Sequence, residues 1–186
     1  MNRKVISISL NGPDNVGKTT MINLMSSMDS IEIRSSVSTY DNQLNDLKKT
    51  NYFKEWFFKM SNDEDFVNII LRATNKRANI KPKSNTKLIV YDRGGLMSEA
   101  VCIANIAYKQ KCDLIQATTF YPSIVNKYHL DIPREDIRIL LKHGRSLEDS
   151  LKISLMREYE HDQVYDEYQM LLQKQLAIQE IKIDID

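Results

Sequence analysis

The stretch VISISLNGPDNVGKTT, residues 5–20, decides how this chain is read. Residues 5–10 are apolar, short and β-branched, and Gly12-Pro13 stops them, which predicts a buried strand. Residues 18–28 place Met21, Leu24, Met25 and Met28 at helical spacing. Between strand and helix lies Gly-x4-Gly-Lys-Thr, residues 12–19. Gly12 and Gly17 admit backbone conformations closed to other residues. The main chain of Asn15, Val16, Gly17, Lys18, Thr19 and Thr20 can then turn successive N–H groups, and a helix N-terminus, toward a phosphate. Lys18 offers a positive charge to the outer phosphates, and Thr19 a hydroxyl to Mg²⁺. Of the chain's five glycines, four are Gly12, Gly17, Gly94 and Gly95, so the permissive residues concentrate at two points.

The length of 186 residues fits one domain with a sizeable core. A formal net charge of +1 creates no field that favours nucleic acid or an acidic membrane. Cys102 and Cys112 match no metal or redox spacing, and two lone thiols suit a reducing compartment. His129, His143 and His161 form no ligand pattern. No apolar run approaches the ~20 residues that span a bilayer. The N-terminal residues lead directly into the first strand, and the expected location is cytoplasmic.

Further strands are expected at residues 31–37, 87–91, 137–142 and 181–185. Helices are expected at 44–60, 65–78, 96–108, 114–128 and 163–179, with a short one opened by the capping box at Ser146 and Asp149. Strands alternating with helices predict an α/β fold, a five-stranded parallel sheet with helices on both faces. One domain over 1–186 is expected, with a short lid around 155–162. The first strand and the strand at 87–91 should be neighbours, because metal and phosphate must meet.

The second motif is Tyr91-Asp92-Arg93 after the apolar run Leu88-Ile89-Val90. An Asp at the C-terminal end of a parallel strand beside the phosphate loop can hold Mg²⁺ or its waters. The adjacent Arg can fork onto a phosphoryl oxygen. Thr74-Asn75-Lys76-Arg77 lacks the Asp of a guanine-reading segment. Together the two motifs resemble the thymidylate kinase family and its deoxynucleoside kinase relatives, which are P-loop NTPase folds. The resemblance rests on residues 12–20, on Asp92-Arg93 with Ser98 and Ala100, on residues 133–141 as a fourth strand, and on Arg157-Glu158-Tyr159-Glu160 as a lid. The chain departs from the family at Gly94, where an aromatic is usual, at Ala100-Val101-Cys102, and at Arg34-Ser35-Ser36 after the second strand.

The resemblance implies ATP-dependent, Mg²⁺-assisted phosphoryl transfer to a nucleoside monophosphate. Lys18, Asp92, Arg93 and Arg157 would be catalytic, and Thr19 and Asp92 would hold the metal. Asp14 would meet a sugar hydroxyl, and Arg34 the acceptor phosphate. Either Arg72 or Arg77, with Arg77 favoured, would contact base or phosphate, and Tyr159 would close over the acceptor. Arg145 is a weaker lid candidate. Two other readings stand beside this one: a deoxynucleoside kinase, which wants a carboxylate base after strand two where Glu32 is near, and a P-loop protein that binds nucleotide without turnover. The partners expected are ATP and the acceptor, without nucleic acid or membrane; a homodimer stays open. The aromatics Tyr52, Phe53, Trp56, Phe57 and Phe58 read as core, with a wall for a base as the alternative.

Overall fold

The computed structural model describes residues 5–12, 14, 16–142 and 163–183. Four parallel strands form its sheet: β1 (Ile6–Asn11), β2 (Ile31–Arg34), β3 (Leu88–Asp92) and β4 (Ile137–Leu140), in the order β2-β3-β1-β4. β1 lies centrally, with Leu10 opposite Asp92 on one side and Leu10 opposite Ile139 on the other. The strands carrying the phosphate loop and Asp92 are therefore hydrogen-bonded neighbours, as the sequence requires. At the foot of β4, Asp136 and Ser7 lock the register: the Ser7 N–H and hydroxyl both donate to the Asp136 carboxylate, at 2.8 and 2.7 Å.

The helices are α1 (Lys18–Met25), α2 (Asn42–Lys48), α3 (Phe53–Glu55), α4 (Asp63–Ala78), α5 (Gly95–Gln110), α6 (Leu114–Lys127) and α7 (Gln163–Ile183). Their ends follow local chemistry. Asn62 caps α4 by accepting from Asp65 N at 2.7 Å, three acids fill its first turn, and Lys76 and Arg77 close its last. Asp113 and Gln116 form a capping box on α6. α5 lies among α4, α6 and α7. One core joins Phe66, Leu71, Ile103, Ile106 and Tyr121. A second joins Phe58, Met97, Tyr168, Leu172 and Leu176.

Three expectations are corrected. No fifth strand exists among the described residues: 181–183 continue α7. The alternating Ile181, Ile183 and Ile185 suggest a strand by period, but extending an established helix costs far less than starting a new element. The helix expected over 44–60 is three pieces, because the chain turns at residues 49–52 and Trp56–Met60 form a wider π turn. The second strand stops at Arg34, and Val37–Tyr40 make a 3₁₀ turn. The aromatic segment packs as core: Phe57 meets Phe66 and Tyr168 edge-on, with ring centroids 4.9 and 5.3 Å apart. Tyr52 alone of the five is mostly exposed. No helix among the described residues is long and apolar enough to cross a membrane.

Candidate active site

The site is built where β1 and β3 end. Gly12 follows β1 at φ 136°, and a Cβ there would stand 2.3 Å from the Leu141 carbonyl oxygen, so conformation and space both require glycine. Gly17 caps α1 in the left-handed region at φ 89°. Lys18 begins that helix with 6 % of its surface exposed, and its Nζ donates to the Gly12 carbonyl at 2.9 Å. The ammonium thus lies curled inside the loop. Burial, and next the Arg93 charge, bring its pKa down from 10.5 to about 8, while Asp14 and Asp92 pull it back up. Thr19 and Thr20 are exposed one and two residues further on, and Val16 is half-buried.

Across the strand pair, Asp92 ends β3 and Arg93 takes a left-handed conformation at φ 64°, its N–H donating to the Leu10 carbonyl at 3.0 Å. This turn throws the Arg93 side chain back over the loop, where it pairs with Asp14. Gln169 of α7 donates to the other oxygen of Asp14 at 3.4 Å. The structure therefore brings Asp14 and Lys18 of the loop after β1 together with Asp92 and Arg93 at the end of β3.

The other arginines are placed differently. Arg77 is fully buried under the Asp92–Arg93 turn. It donates to the carbonyls of Ser35 and Asp92, each at 2.9 Å, and to that of Arg93, with its guanidinium 5.1 Å from the Tyr91 ring centre. Its task is to brace the turn, and the acceptor contact expected of it is corrected accordingly. Arg34 is likewise 2 % exposed and is held by Glu32 at 2.6 Å and by the carbonyls of Ile80 and Lys81. Glu32 accepts in addition from Thr86 and from Lys83 N, each at 2.9 Å. Its burial opposes ionisation, but the bonds from Lys83 and Thr86 and the Arg34 charge hold its pKa below the usual carboxylate value. Arg72 pairs with Asp41 at 3.2 Å and with Gln43 at 2.9 Å, and Lys76 reaches the same Asp41 at 2.8 Å. Against its burial, the bonds from Lys76, Leu44 N and Arg72 bring the Asp41 pKa down to about 2. The cations expected to converge on one acceptor are thus divided among separate partners. Asn15, Arg145, Arg157, Tyr159 and the lid around 155–162 lie outside the described residues.

Three site residues went unmarked in the sequence. Asn11, fully buried, accepts from Gly94 N at 2.9 Å and donates to the Ser9 hydroxyl at 2.9 Å, tying the two loops together. A polar residue ending an apolar strand was its only signal. Glu135 accepts from Gly95 N at 3.0 Å. A Cβ on Gly94 would come within 2.4 Å of Ser9 Cβ and 2.5 Å of a Glu135 oxygen, and one on Gly95 within 1.9 Å of the Pro133 carbonyl. The space an aromatic would need after Asp92-Arg93 is filled by the loop before β4. Neither Glu135 nor Gln169 carries a sequence signal, since each reaches the site only through the fold.

No protein-family model and no curated protein sequence matches the chain. Solved structures do. A thymidylate kinase from Candida albicans superposes with a TM-score of 0.65 at 14 % identity, over 94 % of this chain and 77 % of the other. A deoxyadenosine kinase from M. mycoides, solved with dATP bound, gives 0.57 at 19 % identity, over 93 % and 82 %. The chain shares the fold of these two kinases, a parallel sheet flanked by helices. In this chain the loop after β1 carries Lys18 and Thr19, and the end of β3 carries Asp92 and Arg93.

Proposed function

We propose that this chain is an ATP-dependent kinase acting on a nucleoside monophosphate. The carrying observation is the buried Lys18 ammonium, set between a glycine-formed loop and the Asp92–Arg93 turn. Such a transfer asks little covalent work of a protein; positioning and charge neutralisation carry it. The N–H groups at the start of α1 hold the donor phosphates, and Lys18 leaves the Gly12 carbonyl to meet them. Arg93, half-exposed, is held beside the loop by Asp14 and can exchange that carboxylate for the transferred group. Asp14, released, faces a sugar hydroxyl. Thr19 and Asp92 offer the hard oxygen donors that suit Mg²⁺, and Asp92 is near enough to Lys18 to act on its charge. When bound, the ion would neutralise phosphate charge. Arg157 and Tyr159 complete this reading as lid residues within one domain over 1–186.

A deoxynucleoside acceptor is the second reading, and one observation favours it: Arg34 and Arg77 are spent inside the protein, which leaves less positive charge for an acceptor phosphate. Glu32, bound to Arg34 and Thr86, weighs against it as the base. A coupled assay with ATP and Mg²⁺ over nucleosides and their monophosphates separates the two. Turnover of a monophosphate at least ~100-fold above the matching nucleoside, in kcat/KM, supports the first reading. The reverse ratio replaces it with the second, and silence from every acceptor rejects both.

A further inference from the structure

Among the described residues, three other than glycine have positive φ: Arg93, Lys111 and His129. Lys111 and His129 stand at the C-terminal ends of α5 and α6, where a left-handed residue is a common terminator. Arg93 has no helix to terminate. It follows β3 at φ 64°, in a region unfavourable to any residue with a Cβ. Such strain persists only where the surroundings over-determine it, and it gathers at functional sites.

The surroundings of Arg93 hold three successive peptide units, each at both ends. In the first, the Asp92 carbonyl accepts from Arg77 at 2.9 Å and the Arg93 N–H donates to the Leu10 carbonyl at 3.0 Å. In the second, the Arg93 carbonyl accepts from Arg77 and the Gly94 N–H donates to Asn11 at 2.9 Å. In the third, the Gly94 carbonyl accepts from Ser98 N at 3.1 Å and the Gly95 N–H donates to Glu135 Oε1 at 3.0 Å. Glu135 is buried and reaches the turn from the loop before β4. That loop leaves no slack, since a Cβ on Gly95 would stand 1.9 Å from the Pro133 carbonyl oxygen.

We propose that Glu135 is a positioning residue for phosphoryl transfer, acting through Arg93. That role rests on the kinase reading of the site. By holding the third peptide unit, Glu135 stops the turn from letting Arg93 relax toward negative φ. Relaxation would carry the guanidinium away from Asp14 and the phosphate loop, and a small misplacement of a charge-neutralising group is costly to such a transfer. The device is the reach of Oε1 to Gly95. Charge is the rival explanation: burial lowers the Arg77 pKa, and Glu135 is the foremost of the charges that oppose this.

Three variants of the full chain separate reach from charge. Glu135→Ala removes both. Glu135→Asp keeps the charge but withdraws the oxygens by one carbon, and it serves alone if Glu135→Ala does not fold. Glu135→Gln keeps an oxygen within reach of Gly95 and loses the charge. In the Ala and Asp variants the Gly95 amide should exchange with deuterium at least ~10-fold faster, as loss of one bond to a charged group implies. The Arg93 Nε–H resonance should move as well. With ATP, Mg²⁺ and a monophosphate acceptor, well below the unfolding midpoint, kcat should fall at least ~10-fold while KM for ATP stays within ~3-fold. Glu135→Gln should recover most of these losses. A lower unfolding midpoint with kcat of the folded protein at the parent value would show a structural role only and overturns the proposal. So does a Gln variant as impaired as the Ala or Asp variant, which would assign the effect to charge. If the unaltered chain turns over no acceptor, the kinase reading falls, and the Gly95 exchange rate with the Arg93 resonance decides by itself whether Glu135 positions Arg93.

Discussion

Arg77 donates to the main-chain oxygen of Asp92 at 2.9 Å, from a position with no surface exposed. Because the same guanidinium also holds the carbonyls of Arg93 and Ser35, it fixes the turn that aims the candidate catalytic pair. A lysine cannot hold three carbonyls from one planar fork. Arg77→Met leaves all three without that donor, and each buried orphan costs ~1–3 kcal/mol. The expected loss of stability is at least ~3 kcal/mol, read from denaturant midpoints. A loss below ~1 kcal/mol would show that Arg77 does not brace the turn.

Lys18 carries a pH signature. Its folded pKa of about 8 lies below the 10.5 of the unfolded chain, so its charge opposes folding. That penalty is full below pH 8 and is relieved as pH rises from 8 to 10.5, because over this window the unfolded chain holds the extra proton. The nucleotide-free protein should therefore gain stability against Lys18→Met as pH rises, by up to about 3 kcal/mol. Flat behaviour across the window would refute the buried-ammonium description.

Phosphate should reverse that shift. At about pH 9 the ammonium is mostly deprotonated in the free protein, so ATP binding should take up close to one proton. Calorimetry in two buffers of different ionisation enthalpy measures the uptake, and it should vanish in Lys18→Ala. The same variant should fold and lose at least ~100-fold in phosphoryl transfer.

Asp14 and Arg93 are a pair at the mouth of the site, 36 % and 40 % exposed. Water screens such pairs, so Asp14→Asn should change stability by less than ~1 kcal/mol. Activity should respond more strongly: a fall of at least ~10-fold in kcat/KM for Asp14→Asn and ~100-fold in kcat for Arg93→Ala. Unchanged kinetics in both variants would remove the pair from the site.

Gly94 tests the packing behind the turn. Gly94→Ala drives a Cβ into Ser9 and Glu135, at 2.4 and 2.5 Å, and should cost ~1–3 kcal/mol. Gly17→Ala meets no atom within 4 Å and suffers only the strain of φ 89°, ~1–2 kcal/mol. If thermal unfolding shows Gly94→Ala to be as stable as the parent chain, the close contact with the loop before β4 is wrong.

The sequence by itself determined β1, the glycine-bearing turn into α1 and the Asp92-Arg93 turn. These depend on contiguous residues: two glycines at fixed spacing, a lysine and threonine at a helix start, and a polar pair ending an apolar run. It also led to the expectation that β1 and β3 are neighbours, and they are hydrogen-bonded to each other. What each remaining arginine does was decided only by the tertiary structure. In the sequence Arg34, Arg72 and Arg77 are alike, charges near a pocket. In the fold, Arg77 reaches carbonyls 15, 16 and 42 residues away, and Arg34 reaches carbonyls 46 and 47 away. A buried guanidinium must find acceptors wherever the chain brings carbonyls together, and no local pattern records that place. Gln169 at Asp14, 155 residues apart in the chain, has the same origin.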